Sequence, residues 1–322
     1  MNKPKVVVIG GGTGIPSILK YLKNEPIDLS AVVTVADDGG STGILRHALG
    51  TVPAGDLRNV LSAMSTLPAD DLKLFEYRFK DNDKFLAHHT VGNLLLAAAS
   101  EMKGNINAAV QALAAMMKIK GHVYPAANRA LNISAKFTDG TVLQGESEIT
   151  AAHKSIAKLW TSDVRGNEPR ALPQAVKAIQ QADQIVLGPG SLYTSVMPNL
   201  VIPAIGKAVV QSKAPVVYVC NALMQKGETA GYTDADHVEA LNRNVGNQFV
   251  NYALVNNQPI PKGAVDFRRY QEYSKQVPTD PDGMRKQHCQ PIYRHFLVLK
   301  NQNAVCSGKM IARELMKLLK DN

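Results

Sequence analysis

Lys5-Val-Val-Val-Ile9 runs directly into Gly10-Gly-Gly-Thr-Gly14 near the start of the 322-residue chain. Three valines and an isoleucine in succession describe a short strand buried on both faces, as at the centre of a parallel sheet. Glycines after such a strand let the backbone turn tightly and approach a ligand closely. Ile15-Pro-Ser-Ile-Leu-Lys-Tyr-Leu22 then starts a helix whose free N–H groups point back at the turn, an arrangement that favours phosphate. Gly11, Gly12, Thr13 and Gly14 are therefore candidate ligand contacts, with a tight turn that binds nothing as the plainer alternative. The dinucleotide fingerprint asks for a third small residue, and Ile15 falls on that place, which disfavours an ordinary nicotinamide site. The spacing is not that of a P-loop either.

Leu29-Ser-Ala-Val-Val-Thr-Val-Ala36 reads as the second strand of a βαβ unit. It ends in Asp37-Asp38-Gly39-Gly40-Ser41, which the right-handed crossover places beside the first glycine turn. An acidic residue here commonly accepts from a ribose, and a carboxylate pair near phosphates also holds Mg²⁺. Asp37 and Asp38 are thus candidate ligand and metal contacts, the alternative being one turn cap and one solvated carboxylate. Downstream, Asp56 reads as the N-cap of a helix whose first turn carries Arg58 and Asn59, both candidates for the same anion. His89 and Asn93 lie one turn apart at the start of the run Leu94 to Ala99, which is apolar almost all round and reads as buried. A binding pair and a satisfied structural pair fit them equally well.

From Ile119 the helical rhythm gives way to alternation, with a hairpin at Asn132–Thr138, Asp139-Gly140 and Thr141–Ser147. This marks an inserted β region near 120–162. The rhythm returns with a helix from Pro173 and the strand Gln184-Ile-Val-Leu187. A second turn rich in glycine and hydroxyls follows, Gly188-Pro-Gly-Ser-Leu-Tyr-Thr-Ser195, then Pro198-Asn199. If Gln184–Leu187 neighbours the first strand at the switch point of a doubly wound sheet, the two glycine turns share one crevice. Gly188, Gly190, Ser191, Ser195 and Asn199 join the candidates on that ground, as does Asn221 at the end of the strand Ala214–Cys220. Tyr252–Val255 and Arg294–Leu299 read as further strands, Val277–Pro291 as a surface loop, and Lys309–Lys320 as a closing helix. The fold class is α/β, one elaborated domain over 1–322 on a doubly wound, mostly parallel Rossmann-like sheet with the inserted β-hairpin region.

A hydrophobic fraction of 45% supports a large core, and no apolar run is long enough to span a bilayer. Cys220, Cys289 and Cys306 are too few and too scattered for a disulfide framework, so a cytoplasmic location is expected. The net charge of +9 suits anionic small molecules; with 6% aromatics and no basic helix interleaved with them, nucleic acid is not the expected partner. No nucleophile with a base at readable spacing stands out. The sequence does not choose between a monomer and a homo-oligomer.

Several motifs in this order resemble the gluconeogenesis-factor (YvcK-type) family, which shares a superfamily with the CofD-like 2-phospho-L-lactate transferases. They are Gly10–Gly14, Thr34–Ser41, Gly55–Asn59, His89–Asn93, Gly188–Ser195, Pro198-Asn199, Tyr218–Asn221 and Gly227-Glu-Thr229. The resemblance implies a UDP-sugar-binding regulator, notably for UDP-N-acetylglucosamine, that supports cell shape and growth on gluconeogenic carbon sources. Its transferase branch implies a nucleotide-diphosphate donor, with Asp37 or Asp38 near Mg²⁺ or the acceptor. Met224, where threonine is expected, and Asn251, where aspartate is usual, depart from the pattern. On this reading Gly14→Val lowers nucleotide affinity and leaves the fold intact.

Overall fold

The computed structural model describes residues 3–49, 54–83 and 86–321, with side chains 47–49 left aside. Seven strands form the central sheet: β1 (Lys5–Gly10), β2 (Asp28–Val33), β3 (His122–Pro125), β4 (Gln184–Leu187), β5 (Val216–Val219), β6 (Tyr252–Asn256) and β7 (Gln290–Arg294). Their order is β3-β2-β1-β4-β5-β6-β7, and every neighbouring pair is parallel. This is the 3-2-1-4-5-6 order of dinucleotide-binding sheets with one strand added at the β6 edge. Val6–Ile9, Gln184–Leu187 and Val216–Val219 are buried without alternation, because helices cover both faces. Pro16–Leu22 packs on Gly55–Met64 and Gly308–Asp321, while Pro173–Gln180 packs on Pro203–Gln211.

The register puts β1 between β2 and β4, with Ile9 beside Val32 on one side and Leu187 on the other. The chain turns from filling one half of the sheet to filling the other at this place. The two glycine turns leave the same ends of adjacent strands.

Several boundaries differ from the sequence reading. The alternation after Ile119 divides: His122–Pro125 joins the central sheet, and the antiparallel sheet is Leu131–Phe137, Val142–Gln144 and Ile156–Asp163. The second hairpin strand is cut short because Glu146–Ala151 turns helical. A helix, Gly40–Leu49, follows the acidic turn directly. The last sheet strand is Gln290–Arg294; Leu297–Lys300 leaves the sheet to pair with Asn303–Cys306. Gln290–Arg294 is a half-exposed edge strand carrying Pro291, which an edge tolerates, so its apolar signal was weak. Within the expected loop, Asp280 caps a short helix, Pro281–Lys286, by accepting from Gly283 N–H at 2.9 Å, with proline in its first turn. Val91–Lys103 buries one face only, leaving Leu95 39% and Met102 82% exposed, so it is not the fully buried helix that its composition suggested.

Candidate functional site

The two glycine turns are in backbone contact. A Cβ placed on Gly14 would lie 2.1 Å from the Pro189 carbonyl oxygen, and one on Gly10 would lie 3.7 Å from Gly188 Cα. Gly12 adopts φ +64°, which a side chain rarely accepts, and its missing Cβ would sit 3.2 Å from Ser195 Oγ. Ile15 is fully buried, with Cγ2 2.6 Å from where a Gly10 Cβ would lie. It fills the gap that a third small residue would leave for close helix–strand packing. Asn199, also fully buried, pins both turns by donating to the carbonyls of Ser195 (2.9 Å), Val196 (3.3 Å) and Gly10 (3.4 Å).

Among these packed residues a row of polar groups reaches solvent: Gly12, Thr13 and Gly14 on one turn, Gly190 and Ser191 on the other, then Asn221 and Gln225. They are held in position. Asn221 donates to the Gly190 carbonyl at 3.0 Å, and Gln225 donates to Ser191 Oγ at 2.7 Å. Beneath them Glu228 accepts from the Tyr193 N–H at 3.1 Å and from Thr194 Oγ1 at 2.9 Å. Five residues there, Leu192–Val196, wind as a π-turn, a geometry met often at functional sites.

Ser41, His89, Asn93 and Arg58 form a second group. Ser41 Oγ lies 2.8 Å from His89 Nδ1 and accepts from Asn93 Nδ2 at 3.2 Å, while Arg58 Nε donates to Asn93 Oδ1 at 3.4 Å. Burial, with smaller contributions from His88 and Arg78, lowers the His89 pKa and favours the neutral ring. Arg58 and Asn59 are half-buried on the first turn of Gly55–Met64.

Carboxyl groups lie between these groups. Asp56 is not an N-cap: Ala54 holds that place with no side-chain bond, and Asp56 turns to the first glycine turn, where the Gly12 N–H donates to it. A Cβ on Gly11 would meet its Oδ2 at 2.5 Å. Full burial, then the charge of Asp37, pushes the Asp56 pKa up to about 7. Burial also raises Asp37, with Asp38 adding to it, and raises Glu146, with Asp37 next. Protonation of one of these neighbouring acids relieves the repulsion on the others.

The two aspartates of the metal candidate take different backbone partners. Asp38 caps Glu146–Ala151, accepting from Glu146 N (2.9 Å), Ser147 N (3.1 Å) and Ser147 Oγ (2.9 Å). Asp37 instead accepts from Gly39 N at 2.9 Å and lies beside Gly55. Among the described residues no three histidine, cysteine, aspartate or glutamate side chains converge to hold an ion. Cysteine nucleophiles are no better supplied: burial drives Cys220 well up and Cys289 and Cys306 up to about 12.

The profile described as 2-phospho-L-lactate transferase CofD matches residues 6–297. The chain belongs to the CofD family. Within it, a Lactococcus lactis protein provisionally named a gluconeogenesis factor is 44% identical over 319 residues, 99% of this chain and 98% of that one. A Listeria monocytogenes protein named gluconeogenesis factor is 40% identical over 319 residues, 99% of this chain and 96% of that one. The crystal structure of protein BH3568 from Bacillus halodurans matches with a TM-score of 0.93 at 37% identity, covering 98% of this chain and all of that one.

The two departures from the family pattern are accommodated. Asn251 Oδ1 accepts from Val216 N–H at 2.8 Å, as a carboxylate oxygen would, and Met224 Sδ accepts from Gly231 N–H at 3.4 Å. Residues that the sequence reading passed over are Asp56 as a site carboxyl, Glu146, Glu228, Gln225 and Arg46. The Arg46 guanidinium reaches Asn132 and feels the charges of Asp38 and Asp37. Asp56 and Glu228 both sit inside family motifs that the sequence displays, Gly55–Asn59 and Gly227-Glu-Thr229. That was the available signal.

Proposed function

We propose that this protein binds a nucleotide sugar, UDP-N-acetylglucosamine being the expected ligand, across the paired glycine turns, and acts as a regulator of gluconeogenic growth and cell shape in the cytoplasm. The observation that carries this reading is the row from Thr13 to Ser191 at the carboxyl ends of β1 and β4: solvent-reaching donors on two turns locked together by Asn199. Such a switch point is where open α/β sheets take phosphate-bearing ligands. The relatives' names support the metabolic role. No helix among the described residues is long and apolar enough to cross a membrane.

The test is calorimetry and thermal unfolding with UDP-N-acetylglucosamine. A specific ligand raises the midpoint by mass action, and Ser191→Ala with Asn221→Ala lowers the affinity. A wild-type protein that neither shifts nor releases heat at millimolar ligand overturns the reading.

A second reading follows from the family description: an acceptor hydroxyl attacks the phosphorus of a phospholactyl group on a nucleoside diphosphate donor, forming the new phosphodiester and displacing nucleoside monophosphate. Asp56, buried against the first glycine turn, and Glu146, beside Asp38, favour it: burial and neighbouring charge raise both carboxyls, and groups so shifted are ones a transfer site would use. Acceptor-dependent release of nucleoside monophosphate together with the new phosphodiester would establish it, and binding of donor and acceptor without turnover would exclude it.

A further inference from the structure

At the amino-terminal ends of β1, β2 and β3, the opposite edge of the sheet from the glycine turns, lies a cleft of about 760 Å³. Lys3, Lys5, Lys23 and Lys120 line it, with Leu22, Ile27 and Leu29 also on its wall. Two carboxylates in the lining, Glu25 and Asp28, face these four ammonium groups, with Asp183 next to it accepting from the Lys5 backbone N–H at 2.7 Å, and Asp28 lies 3.4 Å from the His122 ring. Among the described residues none of the four lysines forms an ion pair. Their partners are neutral: Lys5 Nζ donates to Gln181 Oε1, Lys23 Nζ to the Ser65 carbonyl and Lys120 Nζ to Asn24 Oδ1. Each of these ammonium groups keeps further N–H donors to offer. Crowding shows at Lys23, whose pKa is lowered first by burial and then by Lys120. Like charges gathered in a recess focus a positive field that an anion relieves.

We propose that this cleft binds a small anion carrying two or more phosphate groups, at a site separate from the glycine turns. The volume lies within the range of small-molecule sites. Lysines act as point charges and suit phosphate oxygens without the planar pairing that arginine imposes. No phenylalanine, tyrosine or tryptophan lines the cleft, and one face of its single aromatic ring, His122, is already stacked on Tyr124 with centroids 6.0 Å apart, which leaves little platform for a base. Glu25 and Asp28 are acceptors suited to hydroxyl groups, which points to a sugar bisphosphate; inorganic polyphosphate shares the phosphate chemistry and is the other source.

The experiment is calorimetry at low ionic strength with glucose 1,6-bisphosphate and, separately, inorganic tripolyphosphate. It compares the wild type with Lys3→Gln/Lys120→Gln, with the control Lys309→Gln/Lys317→Gln on the carboxyl-terminal helix, and with Arg58→Ala at the other end of the sheet. All four substituted lysines are exposed, so the fold is retained and equal melting temperatures verify it. The expected result is a binding component that Arg58→Ala leaves in place, that Lys3→Gln/Lys120→Gln weakens at least tenfold, and that the control leaves within twofold. Equal weakening in the control reduces the effect to diffuse attraction and overturns the proposal. So does loss of all binding in Arg58→Ala, or no binding in the wild type. Tighter binding of the bisphosphate identifies hydroxyl recognition; tighter tripolyphosphate identifies a polyphosphate site. Neither readout requires a nucleotide sugar to bind, so the two proposals fail independently.

Discussion

Gly14 Cα and the Pro189 carbonyl oxygen face each other so closely that a Cβ on Gly14 would stand 2.1 Å from that oxygen. The contact joins the turn after β1 to the turn after β4, and neither side of it is a flexible side chain. Gly14→Val was expected from the sequence to weaken binding and spare the fold. The contact reverses that expectation: even Gly14→Ala forces two backbone segments apart. Overpacking of this kind costs about 3 kcal/mol or more. Urea unfolding is the measurement, and a midpoint equal to that of the wild type would show that the turns do not touch.

Asp56 makes stability fall as pH rises. Its carboxyl ionises near 3.8 when free and at about 7 in the folded chain, so between those values the folded state holds a proton that the unfolded state has lost. The contribution is fully present below the lower value and is lost as pH climbs through the upper one, at a cost on the order of 4 kcal/mol. Asp56→Asn keeps an acceptor for the Gly12 N–H and cannot ionise. Denaturant midpoints from pH 5 to 8 should decline less in Asp56→Asn than in the wild type. Parallel slopes would refute this assignment.

Glu228 supports the second turn from below, taking the Tyr193 N–H on one oxygen and Thr194 Oγ1 on the other. Glu228→Ala strands two buried donors, which costs about 2–4 kcal/mol. Glu228→Gln retains one acceptor and should recover part of this. Both variants should also bind nucleotide sugar less tightly, because Ser191 opens the segment that Glu228 holds. Stability equal to the wild type in Glu228→Ala would remove the residue from this role.

The sheet was legible because its strands announce themselves. Runs such as Val6–Ile9 and Val216–Val219 are apolar without alternation, which only a doubly covered parallel sheet requires. The glycines marked the β1–β4 junction for the same reason: nothing larger fits. Gln290–Arg294 was missed since an edge strand need not be apolar, and Leu297–Lys300 imitated it. The roles of the acids were the least legible. Asp38 serves Glu146 and Ser147 from 108 and 109 residues away, and periodicity carries no trace of so distant a partner. Asp37 and Asp38 are neighbours in the chain that take different backbone partners while both face Glu146.

Arg58 provides a test of the second polar group. Burial, then Arg78, lowers its pKa, yet an arginine stays charged under any ordinary condition. Its Nε is tied to Asn93 Oδ1, which aims the guanidinium, and Glu76 and Asp56 are the carboxylates whose charge it feels. Removing a charged donor of this kind costs a bound diphosphate about 1.5–3 kcal/mol, which is tenfold or more in affinity. Arg58→Lys should restore only part of the loss, because an ammonium cannot reproduce the planar fork. Asn93→Ala should have a smaller effect, since it frees the guanidinium from its tether without removing the charge. Calorimetry with UDP-N-acetylglucosamine at two salt concentrations is the measurement, with the difference between wild type and Arg58→Ala narrowing at high salt. Wild-type affinity in Arg58→Ala would leave the network of Ser41, His89 and Asn93 with a structural role alone and confine the ligand to the glycine turns.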